Sequence, residues 1–133
     1  MQIWKPILIV SLAAGAAVLA EENPEFVTWM KYTKTATDDL KKMEQKTGAQ
    51  AMRRAERIGT VYENMIAFWR QRNAADAVKL SEEGKAAALE LATAAYSNDA
   101  EKAKSALDAL NTGCKSCHDA HRERIGEGKY RVK

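Results

Sequence analysis

The apolar positions after residue 20 recur at intervals of three and four, the spacing of amphipathic helices. A first helix is predicted to begin at Asn23-Pro24, where a capping residue precedes a proline suited to the first helical position. Gly48 is expected to end this helix. The stripes of the first two helices are Trp29, Thr33, Ala36, Leu40 and Met43, and then Ala51, Ala55, Ile58, Tyr62, Met65 and Trp69.

Two more helices are predicted after a polar stretch at residues 70–76. Asn73 is expected to cap the third helix, which is interrupted by Gly84 and ends at Ser97. Asn98, with Glu101 three residues later, resembles a capping box for the fourth helix. That helix is expected to continue to Gly126 and to leave a short basic tail. The apolar stripe of the third helix is Val78, Ala88, Leu91 and Ala95. The stripe of the fourth helix is Ala103, Leu107, Leu110, Cys114, Cys117, His121 and Ile125.

The expected fold class is all-α, an up-down-up-down antiparallel four-helix bundle, because the connections between helices are short. In such a bundle, the start of the first helix and the end of the second lie at the same end as the end of the fourth. Trp29, Met30, Met65 and Trp69 are therefore expected near the C-terminal part of the fourth helix.

The first twenty residues differ in composition from the rest, since one lysine precedes an apolar run from Ile7 to Ala20. A bilayer-spanning helix needs about 20 apolar residues, and this run is shorter. A basic start, a short apolar stretch and small residues at its end are typical of a secretory signal. We expect a signal peptide at 1–20, cleavage after Ala20 and one periplasmic domain at 21–133. An uncleaved membrane anchor is the alternative.

The charges of the chain nearly balance, with 21 Lys and Arg against 18 Asp and Glu and a formal net charge of +3. Acidic and basic residues alternate along the predicted helices, as on solvated helix faces. Nothing in this pattern calls for a nucleic-acid partner.

The segment GCKSCHDAHR, residues 113–122, contains both cysteines and both histidines of the chain. Cys-x-x-Cys-His is the attachment pattern of haem c. On a helix, Cys114 and Cys117 share one face, so their thiols can reach the two vinyl groups of one porphyrin. His118 then supplies an axial imidazole to the iron.

Three other interpretations of the motif are weaker. A thioredoxin-like dithiol would need a βαβ pattern around it, and a structural zinc site normally takes four protein ligands where the motif offers three. One disulfide is permitted in an exported chain. Between cysteines three residues apart in a helix it would be strained, and it would give His118 no role. One haem c per chain, attached through Cys114 and Cys117, is therefore the expected cofactor.

The motif lies at the C-terminal end of a helical chain with a signal sequence, and in this the chain resembles the class II c-type cytochromes, the cytochrome c-prime family. The resemblance covers essentially all of residues 21–133. The family usually continues CxxCHxxYR, and this chain keeps Arg122 but has His121 at the tyrosine position. Phe26 stands where the family tends to carry an arginine. The resemblance implies transient redox partner proteins, and it raises a homodimer through the first helix as an option.

The second axial ligand is expected to be Met30. Met30 is followed by Lys31, and this pair resembles the low-spin members of the family, where that methionine binds the iron opposite the histidine. Met65 is a second candidate at the same end of the bundle. Met30 as core filler is the remaining interpretation, because methionine fits irregular gaps. His121 projects from the same helix as His118, so it is expected to line the pocket.

Three further residues are expected around the cofactor. Trp29 and Trp69 are expected to pack against the porphyrin, since aromatic rings bury a large apolar area. Arg122 lies one helical turn after His118, where it pairs with a propionate or stands in solvent as a surface arginine.

The candidate functions differ in what binds the second face of the iron. With Met30 bound, the chain is expected to carry single electrons between redox proteins. With an open face, it would bind nitric oxide or carbon monoxide. A peroxidase would need a distal histidine, and none remains beyond His118 and His121, so no enzyme activity is expected. If the chain binds no haem, the alternative function is a helical interaction module with a disulfide.

Overall fold

The computed structural model describes residues 23–133, and the expected signal peptide at 1–20 lies outside the described residues. The expected all-α class is confirmed, and the arrangement of four helices is compatible with a four-helix bundle. The elements in chain order are α1 (Pro24–Lys42), α2 (Ala49–Gln71), α3 (Ala75–Tyr96), α4 (Ala100–His121), β1 (Arg122–Gly126) and β2 (Lys129–Val132). No helix within residues 23–133 is long and apolar enough to cross a membrane.

The start of α1 is as predicted, but its end is not. The side chain of Asn23 accepts a hydrogen bond from the Phe26 amide at 3.1 Å, and Pro24 is the first helical residue. The helix stops at Lys42 rather than at Gly48, since the backbone of Met43 is extended, and the Lys46 ammonium donates to the Met43 carbonyl at 2.9 Å. Gly48 instead leads into α2 with a φ of 90°, a conformation that glycine adopts without a steric penalty.

The predicted caps of α3 and α4 were both wrong by one residue. Asn73 and Asn98 have φ values of 54° and 56°, so each turns the chain through the left-handed region after the preceding helix. Ala74 then precedes α3, and Asp99 caps α4 by accepting the Lys102 amide at 3.1 Å. Asparagine tolerates the left-handed conformation better than most residues, and this preference outweighs its use as a cap here.

Replacing Asp99 with alanine is expected to lower the free energy of unfolding by about 1 kcal/mol, since the Lys102 amide loses its acceptor. Thermal or denaturant unfolding measures this loss. Asn98→Gly is the matched control, because glycine accepts a positive φ freely and should leave stability nearly unchanged. Equal stability of Asp99→Ala and the parent chain would contradict the assignment of Asp99 as the cap.

The C-terminal part of the chain is a β-hairpin, whereas the sequence analysis expected helix to Gly126 followed by a tail. The chain leaves α4 at Arg122, which is extended, and β1 pairs antiparallel with β2. Gly128, in the turn between the strands, has a φ of 65°, a conformation that glycine adopts without a steric penalty. Lys133, after β2, is bound to the end of α4, since its amide donates to the His121 carbonyl at 2.9 Å.

The hydrophobic core lies between the four helices. α2 packs most extensively on α3 and α3 on α4, while α1 packs chiefly on α2 and comes close to α4 at few points. The alanine-rich buried face of α3 allows this close approach, because short side chains bring helix axes together. The largest fully buried side chains come from all four helices and are Leu40, Ile58, Leu91, Leu107 and Leu110.

Candidate functional site

The motif residues lie on one side of α4. Cys114, Cys117 and His118 are each half-buried, whereas the intervening Lys115 and Ser116 are exposed. This alternation follows from helical geometry, since positions three and four apart share a face. Both cysteines are free thiols, so the disulfide considered from the sequence does not form in this structure.

An aromatic cluster joins three helices beside the motif. The ring of Trp69, near the end of α2, lies 5.4 Å from that of Phe26 at the start of α1 and 4.8 Å from that of His121 at the end of α4. Trp29 belongs to the same cluster, 5.8 Å from Phe26 between ring centroids. The expectation that these helix ends meet at the motif is therefore confirmed. Trp69 is buried and Trp29 is half-buried.

Met30 is half-buried on α1 and packs against the hydrophobic core, and Met65 is buried within that core. Because α1 packs chiefly on α2, the helix that carries Met30 has little close backbone contact with the motif helix. The role of Met30 as an iron ligand stays a prediction.

His121 is bound on both ring nitrogens. Its Nε2 lies 2.7 Å from an Asp76 carboxylate oxygen and its Nδ1 lies 3.1 Å from the Lys133 carbonyl oxygen. Both partners are hydrogen-bond acceptors, and together they fix the orientation of the ring. The hydrogen bond from His121 holds the pKa of Asp76 below its usual range.

Burial and the nearby Arg122 charge lower the pKa of His118, with burial the larger cause. A lowered pKa keeps the imidazole neutral, which is the form that binds a metal. The Arg122 guanidinium itself stacks on the Tyr130 ring of the hairpin at 4.2 Å. The propionate contact considered for Arg122 therefore competes with this stacking.

The two thiols have different surroundings. Burial is the largest of three causes that together raise the pKa of Cys117 to about 11, and the neighbouring Cys114 and Asp76 are the other two. The Cys114 sulfur lies 3.5 Å from the Tyr62 hydroxyl. Tyr62 was predicted only as part of the apolar stripe of the second helix, and its contact with the motif was missed. The interruption of the third helical pattern at Gly84 was the available signal.

The residues that the structure brings together at the motif are of the chemical types that would hold a haem. The indole Nε1 of Trp69 and the hydroxyl of Thr33 are buried without hydrogen-bond partners among the described residues. Leaving such groups unpaired is unfavourable, and the Trp69 indole lies beside the motif helix through its contact with His121. Two free thiols, a neutral imidazole, an aromatic wall and a buried donor are a set of groups that an acidic, vinyl-bearing porphyrin would occupy.

A separate cavity of about 520 Å³ opens to solvent at the start of α1. It is lined by Pro24, Glu25, Thr28, Trp29 and Asn64, and it does not include the motif residues. Among residues 23–133, no group of three or more His, Cys, Asp and Glu side chains is arranged to hold a metal ion.

Comparison of the chain with family models, with curated proteins and with solved structures gives no match.

Proposed function

We propose that this chain is a periplasmic mono-haem c-type cytochrome that carries single electrons between redox proteins. The observation that carries the proposal is the placement of Cys114, Cys117 and His118 on one half-buried side of α4, beside the aromatic cluster of α1 and α2. Free thiols and a neutral imidazole are the chemical states that haem attachment requires.

The residues have distinct roles in the proposal. Cys114 and Cys117 would hold the haem, and His118 and Met30 would supply the ligands to its iron. Trp29 and Trp69 would pack beside it, and the unpartnered Trp69 Nε1 would supply a hydrogen-bond donor to a propionate. Bound haem supplies a one-electron couple, Fe(III)/Fe(II), whose potential depends on the axial ligands and on burial. The close packing of α3 against α2 and α4 suits a carrier, because closely packed helices resist rearrangement.

The partners proposed for this chain are redox proteins that bind briefly. Electron-transfer encounters use small interfaces, and this keeps them weak and quickly reversible. Export by a signal peptide at 1–20 and a homodimer through α1 belong to the same proposal, since both follow from the resemblance and the N-terminal composition.

The test is the absorption spectrum of the reduced protein, matured in a host that attaches c-type haem, with and without carbon monoxide. We expect sharp low-spin bands that carbon monoxide leaves unchanged. A broad high-spin spectrum that shifts with carbon monoxide would instead support binding of nitric oxide or carbon monoxide at an open face. A colourless product would overturn both.

A further inference from the structure

Gly84 leaves a space in α3 that the Tyr62 ring fills. A Cβ at this position would lie 2.4 Å from Cε1, 2.5 Å from Cζ and 2.9 Å from the hydroxyl oxygen of Tyr62. Glycine inside a helix is unfavourable relative to alanine, and residues 86–88 of the same helix are alanines. The exception at Gly84 therefore serves the seating of Tyr62.

The seated phenol reaches the motif. Tyr62 is 7% exposed, and its hydroxyl lies 3.5 Å from the Cys114 sulfur. Burial, and then the nearby Cys114, raise the pKa of Tyr62 well above its usual range, so the phenol keeps its proton. Among residues 23–133, Cys117 has no corresponding side-chain hydrogen bond. The sulfur of Cys114 is thus held by a side-chain hydrogen bond, and that of Cys117 is not.

We propose that Tyr62, seated by Gly84, is a positioning residue that fixes the Cys114 sulfur for haem attachment and makes the two motif thiols unequal. This inference rests on the proposed function. Attachment adds a thiol across a vinyl double bond: the S–H bond and the C=C π bond are lost, C–S and C–H bonds form, and no oxidant or reductant is consumed. The contribution of the chain is the placement of each sulfur.

The mechanism is the selection of one side-chain orientation. A cysteine side chain has three staggered positions for its sulfur, and the hydroxyl of Tyr62 favours the one within its reach. The Cys114 side chain then favours one rotamer, while that of Cys117 is restrained only by packing. Loss of the hydroxyl is expected to release Cys114 and to leave Cys117 as it is.

The first test uses the full chain without haem. Tyr62→Phe keeps the ring and removes the hydroxyl, and Tyr96→Phe is the control because Tyr96 is 78% exposed. Each protein is alkylated with iodoacetamide in its native state, and peptide mass mapping follows both thiols. We expect the rate ratio of Cys114 to Cys117 to rise about fivefold in Tyr62→Phe, the factor that one net hydrogen bond corresponds to. Tyr96→Phe should match the parent chain.

The second test uses the haem-loaded protein. After maturation and denaturation, we expect Tyr62→Phe to expose about fivefold more alkylatable Cys114 than the parent chain, with Cys117 still attached. The reduced α band should move to longer wavelength, because a vinyl group left unattached stays conjugated with the porphyrin. Gly84→Ala, which displaces the phenol, should act in the same direction, and circular dichroism checks its folding.

The two proposals fail separately. A rate ratio in Tyr62→Phe that stays at or falls below that of the parent chain would overturn the positioning role. If the parent chain acquires no haem, the proposed cytochrome function fails, whereas the alkylation ratio still decides whether Tyr62 holds Cys114.

Discussion

A chain in which Cys114 and Cys117 are both replaced by serine is expected to carry no covalently bound haem. Thiol sulfur adds to a vinyl group far more readily than a serine hydroxyl, and the described chain contains no other cysteine. The measurement is the haem absorbance that stays with the polypeptide after denaturation and solvent extraction. The parent chain should retain one haem per polypeptide, and the double variant should retain essentially none.

The matched control replaces the residues between the cysteines. Lys115 and Ser116 are exposed, so Lys115→Ala and Ser116→Ala should keep the full haem content. Circular dichroism should show that the double serine variant is still helical, because the fully buried leucines of the core lie outside the motif. Covalent haem in the double variant, or none in the parent chain, would contradict the proposed attachment.

The helical pattern was predictable from the sequence because it depends on spacing alone. Leu40, Ile58, Leu91 and Leu107 were placed on apolar stripes, and all four are buried in the structure. The start of α1 was also predictable, since Asn23-Pro24 combines a cap with a residue that fits only the first turn. These signals are local in the sequence, and the predictions based on them agree with the structure.

The boundaries at Asn73, Asn98 and Arg122 could not be read in the same way. Asparagine suits both a helix cap and a left-handed turn, and the residue after it decides between them. The hairpin after His121 has a weak apolar pattern, and its strands are held by pairing with each other and by the contacts of Lys133 and Arg122. Such contacts depend on the folded arrangement and leave little trace in the sequence.

The candidate site also has features that the sequence predicts and one that it does not. The shared side of Cys114, Cys117 and His118 follows from helix periodicity, and the neighbouring Trp69 follows from the antiparallel order of short-looped helices. The Tyr62 contact does not, because it needs a gap in a third helix at Gly84. A glycine within an otherwise regular helical pattern was a real signal, but its meaning depended on which ring would fill the space.

Replacing Met30 with leucine is expected to convert the iron from low-spin to high-spin and to open it to carbon monoxide. Leucine has nearly the same volume as methionine but no sulfur, so the change removes the proposed ligand and keeps the packing. Met30 is half-buried, and the cost in the free energy of unfolding should stay below about 1.5 kcal/mol. The reduced absorption spectrum with and without carbon monoxide measures the result.

Met65→Leu is the matched control, because Met65 is the other methionine at this end of the helices and is 3% exposed. It makes the same chemical change within the core, so it should leave the spectrum low-spin and unresponsive to carbon monoxide. The opposite pattern, with Met65→Leu opening the iron and Met30→Leu leaving it closed, would assign the ligand to Met65. If the parent chain already binds carbon monoxide, neither methionine closes the site, and gas binding replaces electron transfer as the function of this chain.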